Sequence, residues 1–210
     1  MVKSRARINK KNQPASHPKR LLIGGPYCEL GQLVAMTDPD RTPDLPALSR
    51  SLPRGTIIIL RHNDVADRED IAALLRRITR QRRQLLFISG DHRLARKVGA
   101  DGLHLRRADL FSMRKPWKGL ISTACHDVKA IKRSREIGAD FLLVSPLFST
   151  RSHVGQKPLG LYRWIMLTSW HRRQHYIALG GINMNTVGRL GALSKVSGPA
   201  GLAAIDGLRR

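Results

Sequence analysis

Two short stretches of this sequence gather side chains able to do chemistry on a phosphate ester. The apolar run Asp140–Ser145 empties into PLFSTRSHVG, which carries Ser149, Thr150, Ser152 and His153. The run His175–Leu179 ends in Gly180–Gly181, with Asn183 opening the next segment. Small residues let backbone N–H groups approach a ligand, and a helix starting there adds partial positive charge, so the pair of stretches suits a phosphate. A Gly-Gly pair alone is a weak signal, because loops use glycine freely. On residue types alone, the Ser/Thr/His stretch reads equally well as an ordinary polar turn.

Such loops need elements to hold them. Apolar runs at Leu33–Met36, Thr56–Leu60, Gln84–Ser89, Gly102–Leu105, Leu120–Cys125, Asp140–Ser145, His175–Leu179 and Gly201–Ile205 predict eight strands. Between them the pattern predicts helices near 43–52, 67–82, 91–98, 107–114, 127–137, 159–170 and 183–192. Helical spacing is clearest in DREDIAALLRRITRQRR, through Ile71, Leu74, Leu75 and Ile78. Strands apolar on both faces and separated by helices imply a parallel sheet covered on both sides. Eight such units fit a compact, single-domain (β/α)8 TIM barrel, and a doubly wound open sheet gives the same alternation. The phrases VGADGLHL, IGADFLLVS and SGPAGLAAI each put a glycine where a helix ends and a strand begins, and their even reuse favours the barrel. In either architecture function gathers where the strands end.

Composition bounds the rest. The chain has 210 residues, 41% of them hydrophobic, enough for one sizeable core. Its formal charge of +23 points to an anionic ligand or partner, although an arginine-rich solvated surface would give the same excess. Residues 1–20 hold seven of the 38 Lys/Arg, with no acid and little to bury, and read as a basic disordered arm before a barrel at 21–210. Two cysteines without a CxxC spacing, and no secretory leader, point to the reducing cytoplasm. No apolar run approaches the length of a membrane span.

Taken in order and spacing, MTDPDRT, IIILRHND, VGADGLHLRRADL, ISTACHD, GADFLLVSPLFSTRSHVGQKPLG and IALGGIN resemble the thiamine phosphate synthase family, which includes the closely related thiazole tautomerases. The resemblance runs from about Leu33 to the end, and the sixth phrase with its PLG continuation is its most specific part. It implies a (β/α)8 fold that joins a hydroxymethylpyrimidine diphosphate to a thiazole phosphate and expels diphosphate with magnesium attached. Diphosphate leaves as the pyrimidine methylene becomes cationic, so leaving-group charge must be neutralised and the thiazole nitrogen held in line.

By this resemblance, Arg61 matches a diphosphate-binding arginine, and Asn63, in the same substrate-binding set, replaces a lysine and removes a positive charge. Ser89 and Gly90 fall where the family has Asn-Asp, so one magnesium carboxylate is replaced and neighbouring Asp91 is its substitute. Asp109 matches the second carboxylate, with Arg106 and Arg107 ahead of it. A guanidinium there could replace metal charge with a fixed one. Ala124 stands in place of a diphosphate-binding serine, and His126 matches a histidine that serves as acid/base group in the tautomerases. Thr150 and Ser152 match two threonines, His153 replaces a lysine, Gly181 beside Gly180 receives the thiazole phosphate, and Asp206 replaces a serine.

These matches imply synthase activity on phosphorylated pyrimidine and thiazole substrates with Mg2+ as cofactor. A thiazole tautomerase using His126 is the alternative. A third reading is a non-catalytic barrel binding phosphate or nucleic acid through Arg76, Arg77, Arg80, Arg82, Arg83 and the arm. Against nucleic acid, the arginine-rich helix has no interleaved aromatics and the chain is only 5% aromatic. The sequence leaves a homodimer open.

Overall fold

The computed structural model describes residues 32–112, 117–150, 155, 157–169, 174–190 and 201–205, apart from the side chain of Met184. The basic arm, Ser152, His153 and Asp206 lie outside the described residues. Among the described residues the strands are β1 Gln32–Met36, β2 Ile57–Leu60, β3 Leu85–Ser89, β4 Gly102–Leu105, β5 Leu120–Cys125, β6 Phe141–Val144, β7 His175–Leu179 and β8 Gly201–Ala204. The helices are α1 Leu45–Ser51, α2 Arg68–Arg82, α3 His92–Lys97, α4 Arg107–Ser112, α5 Val128–Glu136, α6 Gly160–Ser169 and α7 Met184–Val187, with a 3-10 turn at Gly188–Leu190.

Each strand pairs in parallel with its sequence neighbours, and β8 pairs with β1, so the sheet closes into the expected (β/α)8 barrel. Closure explains why the strands are apolar throughout rather than alternating. Val34, Ile57, Ile59, Phe87, Phe141, Leu143, Ile177 and Ala203 fill the interior, where the Phe87 and Phe141 rings meet edge to face at 5.4 Å. The intervening residues, such as Ala35, Ile58, Leu86, Leu142 and Ala178, pack under the helices against Leu48, Leu75, Leu110 and Trp164. The helix face predicted for α2 is turned slightly: Ala72, Leu75 and Thr79 are buried, while Leu74 is exposed. No helix among the described residues is long and apolar enough to cross a membrane.

The repeated Gly-Ala-Asp phrases do more than turn the chain. Gly99 and Gly138 follow α3 and α5 with φ of +63° and +71°, a region that suits glycine. The aspartate two residues on then reaches sideways to the preceding strand. Asp101 accepts the Leu86 amide at 2.9 Å, and Asp140 accepts the Ile121 amide at 2.7 Å. Both satisfy the first free donor of a strand and help fix the register that brings strand ends level. On the same lower side, buried Gln84 ties α1 to β3: it accepts from Ser49 Oγ at 2.6 Å and donates to the Ser49 and Leu52 carbonyls at 2.9 and 3.0 Å.

Replacing Gln84 with Leu leaves the Ser49 hydroxyl without its acceptor and strips the shorter donor from each carbonyl, which keep only the Leu52 amide at 3.4 Å and Arg82 Nη2 at 3.3 Å. The expected loss is about 1–3 kcal/mol of folding stability, read as a lower urea midpoint with an unchanged denaturant slope.

Candidate active site

Parallel strands send all their C-terminal ends to one rim, and a cavity of about 250 Å3 opens there. Arg41 and Arg61 line one side, from the loops after β1 and β2; Ser145, Ser149, Thr150, Gly180 and Gly181 line the other. Two of these loops are zipped together, because Leu147 donates to the Leu179 carbonyl at 2.8 Å and Phe148 to the Gly180 carbonyl at 3.0 Å. That approach leaves no room for a side chain at Gly180: an added Cβ would sit 2.8 Å from Pro146 Cα, and φ is already +101°. The Gly-Gly pair is therefore required by the packing of the two loops that form this wall. Arg189 lies over the Phe148 ring at 5.1 Å, adding a cation beside the same loop.

The expected helix N-terminus makes a smaller contribution than the sequence suggests. Helix α7 has only four residues, and the Asn183 carboxamide oxygen already accepts the Asn185 and Thr186 amides at 2.9 and 3.2 Å. Its first free donors are thus consumed within the chain, so the glycine segment Gly180–Gly181 is the part of this loop that faces the cavity without such a cap.

Arg61 is held by its backbone, whose N–H donates to Thr37 Oγ1 at 3.0 Å. The same hydroxyl stands 3.0 Å from His62 Nδ1. Burial pulls the Arg61 guanidinium below its usual value; Asp38 opposes that shift and Arg41 adds to it. Two cations sharing one cavity wall favour an anionic ligand that relieves their repulsion.

A second group of residues stands at the rim of β2, β3 and β4. Arg68, the first residue of α2, donates to Asn63 Oδ1 at 3.0 Å and to the Ser89 carbonyl at 2.6 Å, and pairs with Asp91 at 3.4 Å. Asp91 is also the N-cap of α3, accepting the Arg93 and Leu94 amides at 3.0 and 2.9 Å. Asp109 receives Arg106 Nε at 2.7 Å, Arg106 Nη2 at 3.1 Å and the Arg106 amide at 3.1 Å. The two carboxylates expected to hold magnesium are therefore each committed to a guanidinium. Among the described residues no three His, Cys, Asp or Glu side chains gather where an ion could be held. As placed, this donor set does not fit a magnesium ion bridged by Asp91 and Asp109.

His126 follows β5. Its Nδ1 lies 2.8 Å from the Ser145 carbonyl, which can only accept, so Nδ1 carries the proton and Nε2 is the basic nitrogen of the neutral ring. Ser145 lines the cavity, which links the histidine to it through one residue. Neighbouring Asp127 caps α5 through the Ala130 amide at 2.7 Å and pairs with Arg107 at 2.8 Å. Cys125 is buried between Thr123 and Ser134, and burial pushes its thiol up.

The structure thus gathers Arg61, Thr150, Gly180 and Gly181 around one cavity and sets Asn63, Asp91 and Asp109 in a separate rim network. Arg41 and Arg68 were missed in the sequence. Arg41 sits in a turn (DPDRTP) that reads only as loop, and Arg68 opens a helix whose other arginines drew attention to its far end. Of those, Arg76 is tied to Asp101 at 2.5 Å and Arg82 donates to the Arg50 and Leu52 carbonyls at 2.9 and 3.3 Å.

The model of the thiamine monophosphate synthase family matches residues 32–205. A thiamine-phosphate synthase of Alcanivorax borkumensis is 32% identical over 79% of this chain and 81% of its own length. A putative thiamine-phosphate synthase 2 of Aquifex aeolicus is 30% identical over 76% of this chain and 89% of its own. Among solved structures, a thiamine phosphate pyrophosphorylase from Pyrococcus furiosus superposes with a TM-score of 0.64 at 20% identity, covering 84% of this chain and 86% of that one, which supports the fold.

Beneath the rim, His104 is fully buried with Nδ1 2.9 Å from Ser122 Oγ. Desolvation holds its pKa at about 3; Arg61 and Arg106 add to the shift and Asp109 opposes it. The ring is neutral when folded and takes a proton more readily when unfolded, so folding stability is full above pH 6.5 and falls as pH drops from 6.5 towards 3. Burial shifts His62 in the same direction. Folding free energies from urea unfolding across that range should fall less steeply in His104→Gln, by up to about 1.4 kcal/mol per pH unit.

Proposed function

The chain belongs to the thiamine monophosphate synthase family, and from that premise we propose that it is a transferase joining hydroxymethylpyrimidine diphosphate to thiazole phosphate with release of diphosphate. The observation that carries this reading is the rim cavity walled by Arg41 and Arg61 on one side and by the zipped β6 and β7 loops on the other. Its cations and its glycine and hydroxyl wall suit a ligand with phosphate at its end.

In the reaction the C–O bond between the pyrimidine methylene and diphosphate breaks, its electron pair leaving with diphosphate, while the thiazole nitrogen's lone pair forms the new C–N bond. No proton transfer is needed for that exchange. The protein's tasks are to hold the two reactants in line and to offset charge at both ends. Thr150, Gly180 and Gly181 would take the thiazole phosphate, with Ser152 and His153 as further candidates from the same loop. Arg61 would take leaving-group charge, beside Asn63 and the guanidiniums at the β3 and β4 ends. Magnesium brought by the diphosphate itself is compatible with this scheme, and no step is routed through a protein-held ion.

A second reading, thiazole tautomerase activity, is favoured by one observation. The Ser145 carbonyl fixes the His126 tautomer beside the cavity, as a base that moves one proton between two positions of a bound ring requires.

Purified protein given both precursors and magnesium should form thiamine phosphate, detected by chromatography, and Arg61→Ala should lower the rate by about 100-fold or more. Product absent under all conditions would remove the synthase reading. Isomerisation of the thiazole substrate, followed separately by NMR, should persist in a chelator and collapse in His126→Ala if the tautomerase reading holds; full turnover by that variant removes it.

A further inference from the structure

The β3 and β4 rim network contains one arrangement that the synthase reading alone does not predict. The Arg106 guanidinium lies against Gly90: a Cβ built there would stand 2.7 Å from Arg106 Nε and 2.8 Å from its Cζ. Arg106 therefore fills the space where the family resemblance expects a carboxylate side chain, and it is aimed by a two-pronged pair with Asp109. Arg68 donates to the Ser89 carbonyl beside that glycine, and burial lowers its guanidinium, with Asp91 opposing the shift and Arg106 adding to it. Arg68 is only 15% exposed at its side chain, and its buried Nε has no partner among the described residues. Arg68 is tied to the Ser89 carbonyl and Arg106 lies against the adjoining Gly90, which puts these two guanidiniums at one part of the rim.

We propose that this part of the rim is a guanidinium subsite for the leaving diphosphate, in which Arg106 and Arg68 take the place of a protein-held magnesium ion. Asp109 and Asp91 are then positioning residues for Arg106 and Arg68 rather than metal ligands. A planar fork offers two parallel donors to phosphate oxygens and keeps its charge at any working pH, so it stabilises the charge that arrives on diphosphate as the C–O bond breaks. Asp109 does not cancel this role: the pair uses Nε and one terminal nitrogen, leaving N–H donors on the other edge of the fork. The identity of the anion rests on the synthase reading; the metal-free character of the subsite rests on the geometry.

The test is calorimetric titration of the full chain with inorganic pyrophosphate, first in a chelator and then in millimolar magnesium. Binding is expected in the chelator without tightening by magnesium. Arg106→Gln should weaken it by about tenfold or more, and Asp109→Asn, which loosens the aim but keeps the cation, should weaken it less. Unchanged urea midpoints would show that both variants fold, and the comparison of chelator with magnesium needs no variant. Pyrophosphate binding that is absent, that needs or is tightened by magnesium, or that suffers more from Asp109→Asn than from Arg106→Gln, overturns the proposal. Any of those results leaves the synthase reading standing if thiamine phosphate still forms. Failure to form thiamine phosphate, with pyrophosphate still bound in the chelator, would sink the synthase reading and keep the subsite.

Discussion

Burial on both faces of a closed parallel sheet is the constraint from which the site follows. Within β2 every residue from Ile57 to Leu60 is buried, either in the interior or under a helix. Charged groups cannot be accommodated along such a strand without losing their hydration, so they are displaced to its ends. The parallel direction then sends all the C-terminal ends to one side. His104 shows the cost of an exception: it is retained in the interior only as a neutral ring with a hydroxyl partner.

At the rim, carboxylates are claimed by the fold before any ligand arrives. Helices that begin there expose unpaired amides, and Asp44, Asp91 and Asp127 each accept one or two of them. Asp91, Asp109 and Asp127 also pair with Arg68, Arg106 and Arg107. These carboxylates hold their guanidiniums in place at the strand ends.

The phosphate wall illustrates how local chemistry and long-range packing combine. Positive φ values at Gly180 and Gly181 are a local property of glycine, yet their purpose is set by a segment more than thirty residues earlier, Pro146–Phe148, which lies against them. The Gly-Ala-Asp phrases work the same way. Their glycines end helices locally, and their aspartates hold the adjacent strand through the Leu86 and Ile121 amides.

The sequence by itself determined the eight strands and their intervening helices, since period and burial of each are short-range properties written in runs such as TIIIL and QLLFIS. That the sheet closes rather than staying open was decided by the pairing of β8 with β1. Strand ends were legible to within a residue or two, and so were the loops that make the cavity, because Gly-Gly and the Ser/Thr run stand directly after apolar strands. Only the tertiary structure decided which partner each charged side chain takes. Nothing in the order of residues indicates that Arg106 turns back over Gly90 or that Arg68 bridges Asn63 and Ser89. Electrostatic pairing depends on distances of a few ångströms between segments remote in the chain, and those distances exist only once the barrel has closed.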